Sequence, residues 1–125
     1  MNTALWIVQI LLALVFLMAG TGKVSQPKEK LKERGMKFVE DFSGGTVKVI
    51  GSLEIAGALG VVLPSLFNVI PQLTPLAAGG LVLTMIGATL THIRRGEYPI
   101  IIVNIVLLAM AAFVAYGRLT LVPLF

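Results

Sequence analysis

Four long apolar runs dominate the pattern of hydrophobic and polar positions along this chain. They cover residues 3–21, 46–63, 73–91 and 100–116. A run of roughly 17–19 residues wound as an α-helix, which rises about 1.5 Å per residue, matches the ~30 Å hydrocarbon core of a bilayer. Because a helix satisfies its own backbone hydrogen bonds, the pattern predicts an all-α, polytopic membrane protein with a four-transmembrane-helix bundle. We expect residues 1–125 to form this single transmembrane domain.

Prolines and glycines mark the ends of these runs. Pro64 closes the second run, and Gly96 and Pro99 separate the third from the fourth, since neither residue type favours a helix interior. Gly117 follows the fourth run, and we expect it to cap that helix in the left-handed conformation that glycine tolerates.

The long connection between the first two runs, residues 24–45, predicts a short amphipathic segment. Its apolar positions approximate one helical face, opposite a set of lysines. The apolar positions are Leu31, Met36, Phe38, Val39 and Phe42, and the lysines are Lys28, Lys30, Lys32 and Lys37. A basic amphipathic helix of this kind lies on a membrane surface. Gly35 interrupts the pattern, however, and an ordinary solvated loop fits it nearly as well.

Composition supports a membrane environment. Hydrophobic residues make up 57% of the chain, which also has 13 glycines and no cysteine. That apolar share exceeds what a soluble domain carries, whereas a bilayer accommodates it. The absence of cysteine excludes disulfides, thiol catalysis, iron–sulfur clusters and thiolate metal sites. The first run lacks a basic leader and a small-residue cleavage site, so we expect it to be retained as an anchor.

The distribution of basic residues predicts the topology. Every Lys and Arg except Arg118 lies in or beside the first and third connections, which share one side of a four-span protein. The positive-inside rule therefore predicts a multi-pass protein of the cytoplasmic (inner) membrane with both termini extracytoplasmic. Because the basic residues flank apolar runs, the net charge of +4 does not indicate nucleic acid binding.

Glu54 is the one charged residue deep inside an apolar run. A carboxylate near the bilayer centre costs about 2.5–3.5 kcal/mol on insertion scales, so such residues usually face a protein interior. Small residues at Gly51, Gly57 and Ala58 share its helical face, and they let a neighbouring helix approach closely. Glu54 is therefore expected to point into the bundle, either as a ligand or proton site or as a structural carboxylate that holds helices in register.

Four residues are candidate companions of Glu54. Asn104 lies about 6 Å inside the fourth run, and Thr84 shares a face of the third run with His92. His92 suits a proton carrier or a ligand, although a histidine beside two arginines is typical of an interfacial residue. The long stem of Lys23 favours reaching outward to water, with inward reach toward Glu54 as the alternative. One histidine and one glutamate are too few for a metal site, so no metal is predicted.

Small residues and absent motifs complete the residue-level picture. Gly20, Gly51, Gly57 and Gly80 are predicted to line contacts between helices. The chain contains no Ser-His-Asp set, no GxxxxGK loop, no HExxH and no pair of haem-ligating histidines. The sequence motifs therefore indicate no particular reaction, and no cofactor is evident.

Three stretches together resemble the DoxX-like family of small four-helix membrane proteins. They are residues 14–23 (LVFLMAGTGK), 51–60 (GSLEIAGALG) and 73–78 (LTPLAA). The resemblance implies a four-span bundle in the cytoplasmic membrane, and some relatives are associated with quinone-linked sulfur oxidation or with oxidative-stress complexes. The family pattern singles out Gly20, Lys23, Glu54, Gly57 and Pro64. The absence of cysteine is at odds with any thiol-based role.

Three functions are compatible with these features. The first is a small integral membrane protein whose cavity, polarised by Glu54 and Asn104, binds a lipophilic small molecule such as a quinone or isoprenoid, as a subunit of a membrane redox complex. The alternative is a non-catalytic assembly or stress-response factor that binds another membrane protein or forms a homo-oligomer through glycine-rich faces. A proton-coupled carrier is less favoured, because four short spans and one titratable group are few for alternating access.

Overall fold

A computed structural model describes residues 1–123 of the chain, and every regular element in them is helical. The elements are α1 (Asn2–Ser25), α2 (Lys28–Glu33), a 3-10 turn (Lys37–Asp41), α3 (Gly44–Gly60), α4 (Leu63–Phe67), α5 (Leu73–Arg95), α6 (Tyr98–Tyr116) and a π-helical turn (Gly117–Leu121). Four segments within the described residues are long and apolar enough to cross a membrane: α1, α3 with α4, α5, and α6 with its π-helical turn. The predicted all-α bundle with four transmembrane helices is therefore confirmed.

The four long helices pack as two tight pairs. Helix α1 packs along α3, and α5 packs along α6, while α3–α5 and α1–α6 contacts join the two pairs. The hydrophobic core between them comprises Leu12, Phe16, Ala58, Val61, Ala78, Leu81, Met85, Ala111 and Val114. The outward faces carry many exposed Leu, Ile and Val side chains, as expected of helices that contact lipid.

Glycine allows close approach both within and between the helix pairs. A Cβ added to Gly20 would lie 2.5 Å from the Gly51 carbonyl oxygen, so α1 and α3 cross backbone to backbone. A Cβ added to Gly57 would lie 2.6 Å from Leu81 Cδ2 on α5. Gly80 differs, because it is exposed and an added Cβ would meet no atom within 4 Å. The prediction that Gly80 lines a helix contact is wrong, because no neighbouring helix packs against it in the structure.

Several helices end where backbone geometry dictates. Gly96 caps α5 with φ +72°, a left-handed conformation that glycine adopts without strain. Helix α3 ends at Gly60, and Pro64 then lies in the first turn of α4. The expected left-handed cap at Gly117 is wrong, since its φ of −63° is right-handed and the chain continues into the π-helical turn. Its small size instead makes room for Leu5.

The connection between α1 and α3 forms two short helical pieces in place of one amphipathic helix. Gly35 has φ +95°, which reverses the chain between α2 and the 3-10 turn. Leu31 and Val39, one from each piece, pack with Val47 of α3 in a second small core. The amphipathic pattern thus anchors the connection to one end of the bundle. We call this the loop end, and the opposite end, which carries residue 1, the termini end.

Candidate functional site: an intramembrane cavity at the loop end

A cavity of about 480 Å³ lies between the two helix pairs at the loop end. All four long helices and the connection contribute to its wall. The lining residues include Val15, Phe16, Ala19 and Lys23 of α1; Gly35, Met36, Phe38 and Phe42 of the connection; Ile50, Leu53 and Glu54 of α3; Leu83, Thr84, Ala88 and His92 of α5; and Asn104 and Leu107 of α6. The wall is mostly apolar, and its few polar side chains converge near the loop end.

Glu54 and Lys23 form a buried ion pair in this wall. The Lys23 Nζ donates a hydrogen bond of 2.6 Å to Glu54 Oε1, and Glu54 is only 2% exposed. The expectation that Glu54 faces the bundle interior and finds a partner there is confirmed. The favoured outward reach of Lys23 is wrong, because α1 continues past the apolar run to Ser25 and turns Lys23 toward α3. Lys23 Nζ also lies 5.6 Å from the centroid of the Phe38 ring.

Asn104 contributes an unpaired donor to the cavity wall. Its side chain is buried on α6, and its Nδ2 has no hydrogen-bond partner among the described residues. Leaving such a donor without a partner typically costs about 1–3 kcal/mol. A cavity wall with this unpaired donor is suited to a ligand that carries a hydrogen-bond acceptor.

His92 lies at the loop end of the cavity, where it joins α5 to the chain beyond. Its Nδ1 lies 2.8 Å from Glu97 Oε1, and its ring meets Phe38 edge-on with centroids 5.5 Å apart. Burial raises the pKa of the Glu97 carboxyl, but the contacts with His92 and Arg95 outweigh that effect and hold the pKa below its ordinary value of 4.5. His92 is thus part of a polar network that borders the cavity, and is not a freely solvated interfacial residue.

An ion pair and a hydrogen bond hold the connection between α1 and α3 against the loop end of the cavity. Arg95 Nη1 donates to Asp41 Oδ1 at 2.9 Å, and Lys28 Nζ donates to the Phe42 carbonyl oxygen at 2.6 Å. These contacts hold the 3-10 turn, with Phe38, across the loop end. The amphipathic pattern of this stretch does not by itself predict a part in the cavity wall. Its apolar residues Met36, Phe38 and Phe42, which line the cavity, are the only indication in the sequence.

Strongly exposed apolar side chains form part of the cavity wall. Leu53, Leu83 and Val15 line it, yet Leu53 is 61% exposed and Leu83 is 70% exposed on the outer surface. Thr84 also lines the cavity, but its hydroxyl donates to the Gly80 carbonyl oxygen of its own helix. Thr84 is therefore part of the cavity wall, but its hydroxyl hydrogen is already used within α5.

A second polar cluster lies at the termini end and was not foreseen. Arg118 is 1% exposed; its Nε donates to Gln9 Oε1 at 2.7 Å and its Nη1 to Asn2 Oδ1 at 2.7 Å. Gln9 in turn donates to the Val61 carbonyl oxygen, and the guanidinium lies over the Trp6 ring. The cluster ties α1 to the residue that follows α3 and to the π-helical turn that follows α6. Across residues 1–123 no three His, Cys, Asp or Glu side chains come together as a metal site would require.

Comparison with protein families agrees with this architecture. The family model of the DoxX-like family matches residues 7–114. The chain belongs to the DoxX-like family. The match runs from the first long helix into the last and includes each cavity residue from Val15 to Leu107. No curated protein and no solved structure matches this DoxX-like protein.

The family assignment supports the environment of the cavity. This DoxX-like protein is a small multi-pass integral membrane protein, and its surroundings are a lipid bilayer. Glu54, Lys23, Asn104 and His92, all singled out from the sequence, lie in the wall of one cavity within the matched residues. The fold therefore brings these four residues together in the wall of one cavity.

Proposed function

We propose that this protein binds a lipophilic small molecule with a polar head, such as a quinone or an isoprenoid, in the loop-end cavity, as a subunit of a membrane redox complex. The observation that carries the proposal is a mostly apolar cavity. Its wall includes residues exposed on the apolar surface of the bundle, and its few polar side chains lie together near the loop end. Its volume of about 480 Å³ falls within the roughly 300–1,000 Å³ of small-molecule sites.

The exposed part of the cavity wall supports a guest that arrives from the membrane. Leu53 on α3 and Leu83 on α5 belong both to the cavity wall and to the lipid-facing surface. A hydrophobic molecule dissolved in the bilayer can reach the cavity between them without crossing water. An isoprenoid tail fits this route, since it exchanges one apolar environment for another.

The polar side chains in the cavity wall support a head group with hydrogen-bond acceptors. Asn104 offers an unpaired Nδ2 donor, and the Lys23 ammonium has three N–H donors, one of which Glu54 accepts. A quinone carbonyl could accept from either group, and a hydroxyl could also donate to the Glu54 carboxylate. Two acceptors on opposite sides of a quinone ring suit such an arrangement.

Direct binding of a defined probe tests the proposal. We would add decylubiquinone to the protein in mild detergent and record native mass spectra, which report bound ligand and oligomeric state together. Ala88 lines the cavity, so Ala88→Phe should block binding because the larger side chain occupies cavity space. Ala109→Phe, on the exposed face of α6, should not. Glu54→Gln should leave the protein folded but weaken binding, because it removes the charge and the titratable proton.

Two results would contradict the proposal. One is binding that Ala88→Phe and Ala109→Phe affect equally, which would place the probe on the lipid-facing surface. The other is an absence of any retained quinone or isoprenoid in the wild-type protein, whether added or co-purified.

A second candidate function rests on the exposed surface of α5 around Gly80. Gly80 is exposed, and a Cβ added to it would meet nothing within 4 Å. A small residue on a lipid-facing surface lets another helix approach closely. This favours assembly with another membrane protein, and Gly80→Leu should then abolish partner recovery in a pull-down while the protein keeps its fold.

The proposal also includes an orientation. We infer that the protein lies in the cytoplasmic membrane with both termini extracytoplasmic, because all lysines and all arginines except Arg118 lie at or near the loop end. The cavity would then occupy the half of the protein nearer the cytoplasm.

A further inference from the structure

A second cavity, of about 420 Å³, lies at the outer corner of the loop end, where α1 ends and α3 begins. Its lining is strongly basic. The lining residues are Lys23, Gln26, Pro27, Lys28, Glu29, Gly44, Gly45, Val47 and Lys48. Three lysines thus face a single carboxylate, and one lysine, Lys23, lines both cavities.

Two of these lysines retain donors for a guest. Lys28 Nζ gives one hydrogen bond to the Phe42 carbonyl oxygen, which leaves two of its three N–H groups. The Lys48 side chain is exposed and makes no hydrogen bond or ion pair within residues 1–123. The positive charge of Lys23 is already balanced by Glu54. The uncompensated charge of the cavity therefore comes from Lys28 and Lys48, opposed by Glu29 alone.

The backbone adds to this positive character. Helix α3 begins at Gly44, and the Ser43 side chain caps it by accepting from the Thr46 amide. The amides of Gly44 and Gly45 belong to the first turn, where no helical carbonyl is available to them. A Cβ on Gly44 would lie 3.9 Å from Lys28 Cδ, so the lysine passes beside this helix start. Without side chains, the two glycines leave their amides open to a bulky anion.

We propose that this second cavity binds the phosphodiester head group of an anionic phospholipid. Basic pockets between transmembrane helices at a membrane surface are suited to such head groups. A lipid is favoured over a free phosphate because exposed apolar residues lie next to the lining lysines in sequence. Val24 follows Lys23 and Val49 follows Lys48, and both are exposed, so this end of the bundle offers apolar surface to an acyl chain.

Lys23 lines both cavities, but its charge is already paired with Glu54, so the lipid site depends on Lys28 and Lys48. The lipid site itself requires no occupant in the first cavity. A failure of quinone binding and a failure of lipid binding would therefore be distinguishable.

Lipid binding to the purified full-length protein tests the site. We would titrate the protein in mild detergent with phosphatidylglycerol or with phosphatidylcholine and count bound lipids by native mass spectrometry. Phosphatidylglycerol should bind saturably and more tightly. Lys28→Gln and Lys48→Gln should each weaken that binding roughly fivefold, whereas Lys30→Gln, an equal charge change outside the cavity, should not.

Two further measurements keep the test decisive. Gly45→Ala should weaken lipid binding without lowering the unfolding temperature, since its Cβ would meet only Ser43 Oγ, at 4.0 Å. Inorganic phosphate should not displace the lipid; displacement by phosphate would overturn the lipid assignment. Equal effects of Lys48→Gln and Lys30→Gln would overturn the site, because binding would then reflect only the general charge of the loop end.

Discussion

Gly51 lies directly against Lys23: a Cβ built on Gly51 would fall 2.7 Å from the Lys23 Cβ. Only a residue without a side chain lets α1 and α3 cross this closely. Glu54 follows Gly51 by about one helical turn on the same face. The crossing therefore brings the Lys23 ammonium to within 2.6 Å of the Glu54 carboxylate. The ion pair in the cavity wall is a consequence of glycine packing between the first two long helices.

Breaking this ion pair from one side should destabilise the protein strongly. Glu54→Leu leaves the buried Lys23 charge without a partner, which should lower the free energy of unfolding by about 3–5 kcal/mol. The double variant Lys23→Met with Glu54→Leu should recover most of that loss, because it removes both charges. Titration with a denaturing detergent measures both effects. Simple additivity of the two single changes would show that the groups are not coupled.

Crowding a close helix contact should be far more harmful than the same change on the lipid face. Gly57→Leu would drive a side chain into Leu81, and overpacking of this kind typically costs about 1–3 kcal/mol. Gly80→Leu is the matched control, since a Cβ at that position would meet no atom within 4 Å. Thermal unfolding followed by circular dichroism should separate the two. Similar unfolding temperatures would argue against close packing of α3 on α5 at Gly57.

Asn104 should show opposite effects on stability and on ligand binding. Asn104→Leu removes a buried donor that has no partner within residues 1–123, so the free protein should become more stable by about 1 kcal/mol. The same change should weaken binding of decylubiquinone, because a head-group contact is lost. The measurements are unfolding in denaturing detergent and native mass spectrometry. A loss of stability with unchanged binding would mean that Asn104 is structural.

Protonation of Glu97 should lower the stability of the protein at acid pH. Its carboxyl lies outside the membrane-spanning segments and its pKa is lowered, so it releases its proton more readily in the folded protein than in the unfolded chain. Its stabilising effect is therefore present above about pH 4.5 and is lost as the pH falls through the lower, folded pKa. Unfolding temperatures of the wild type and Glu97→Gln, compared from about pH 7 down to pH 3, should converge at the acid end. A constant difference would contradict the assignment.

The orientation can be read from reporter fusions. With both termini extracytoplasmic, a reporter that is active only outside the cytoplasm should work when fused after Phe125. One that is active only in the cytoplasm should work when inserted in the 3-10 turn or the α5–α6 turn. Cytoplasmic activity at Phe125 would reverse the assignment of the loop end. Replacing Lys30 and Lys32 with glutamine should weaken the preference, since these lysines contribute to the positive-inside signal.

The sequence by itself determined the four spans and the inward direction of Glu54. A bilayer requires about twenty apolar residues for each crossing and penalises an isolated charge, so both features are local properties of the chain. It also indicated Gly20, Gly51 and Gly57 as contact positions, because small residues next to a buried carboxylate have little other purpose in a lipid-facing helix. The misplaced contact at Gly80 shows the limit of that argument, since composition alone does not say which face of a helix meets a neighbour.

Only the tertiary structure decided which polar groups meet. Lys23 had two directions open to it, and the α1–α3 crossing at Gly20 and Gly51 selected the inward one. Arg118 follows the fourth apolar run, yet its partners Gln9 and Asn2 lie more than a hundred residues earlier in the chain. Contacts over such separations depend on how whole helices pack, and the hydropathy pattern that places each helix in the membrane carries no information about its rotation against the next.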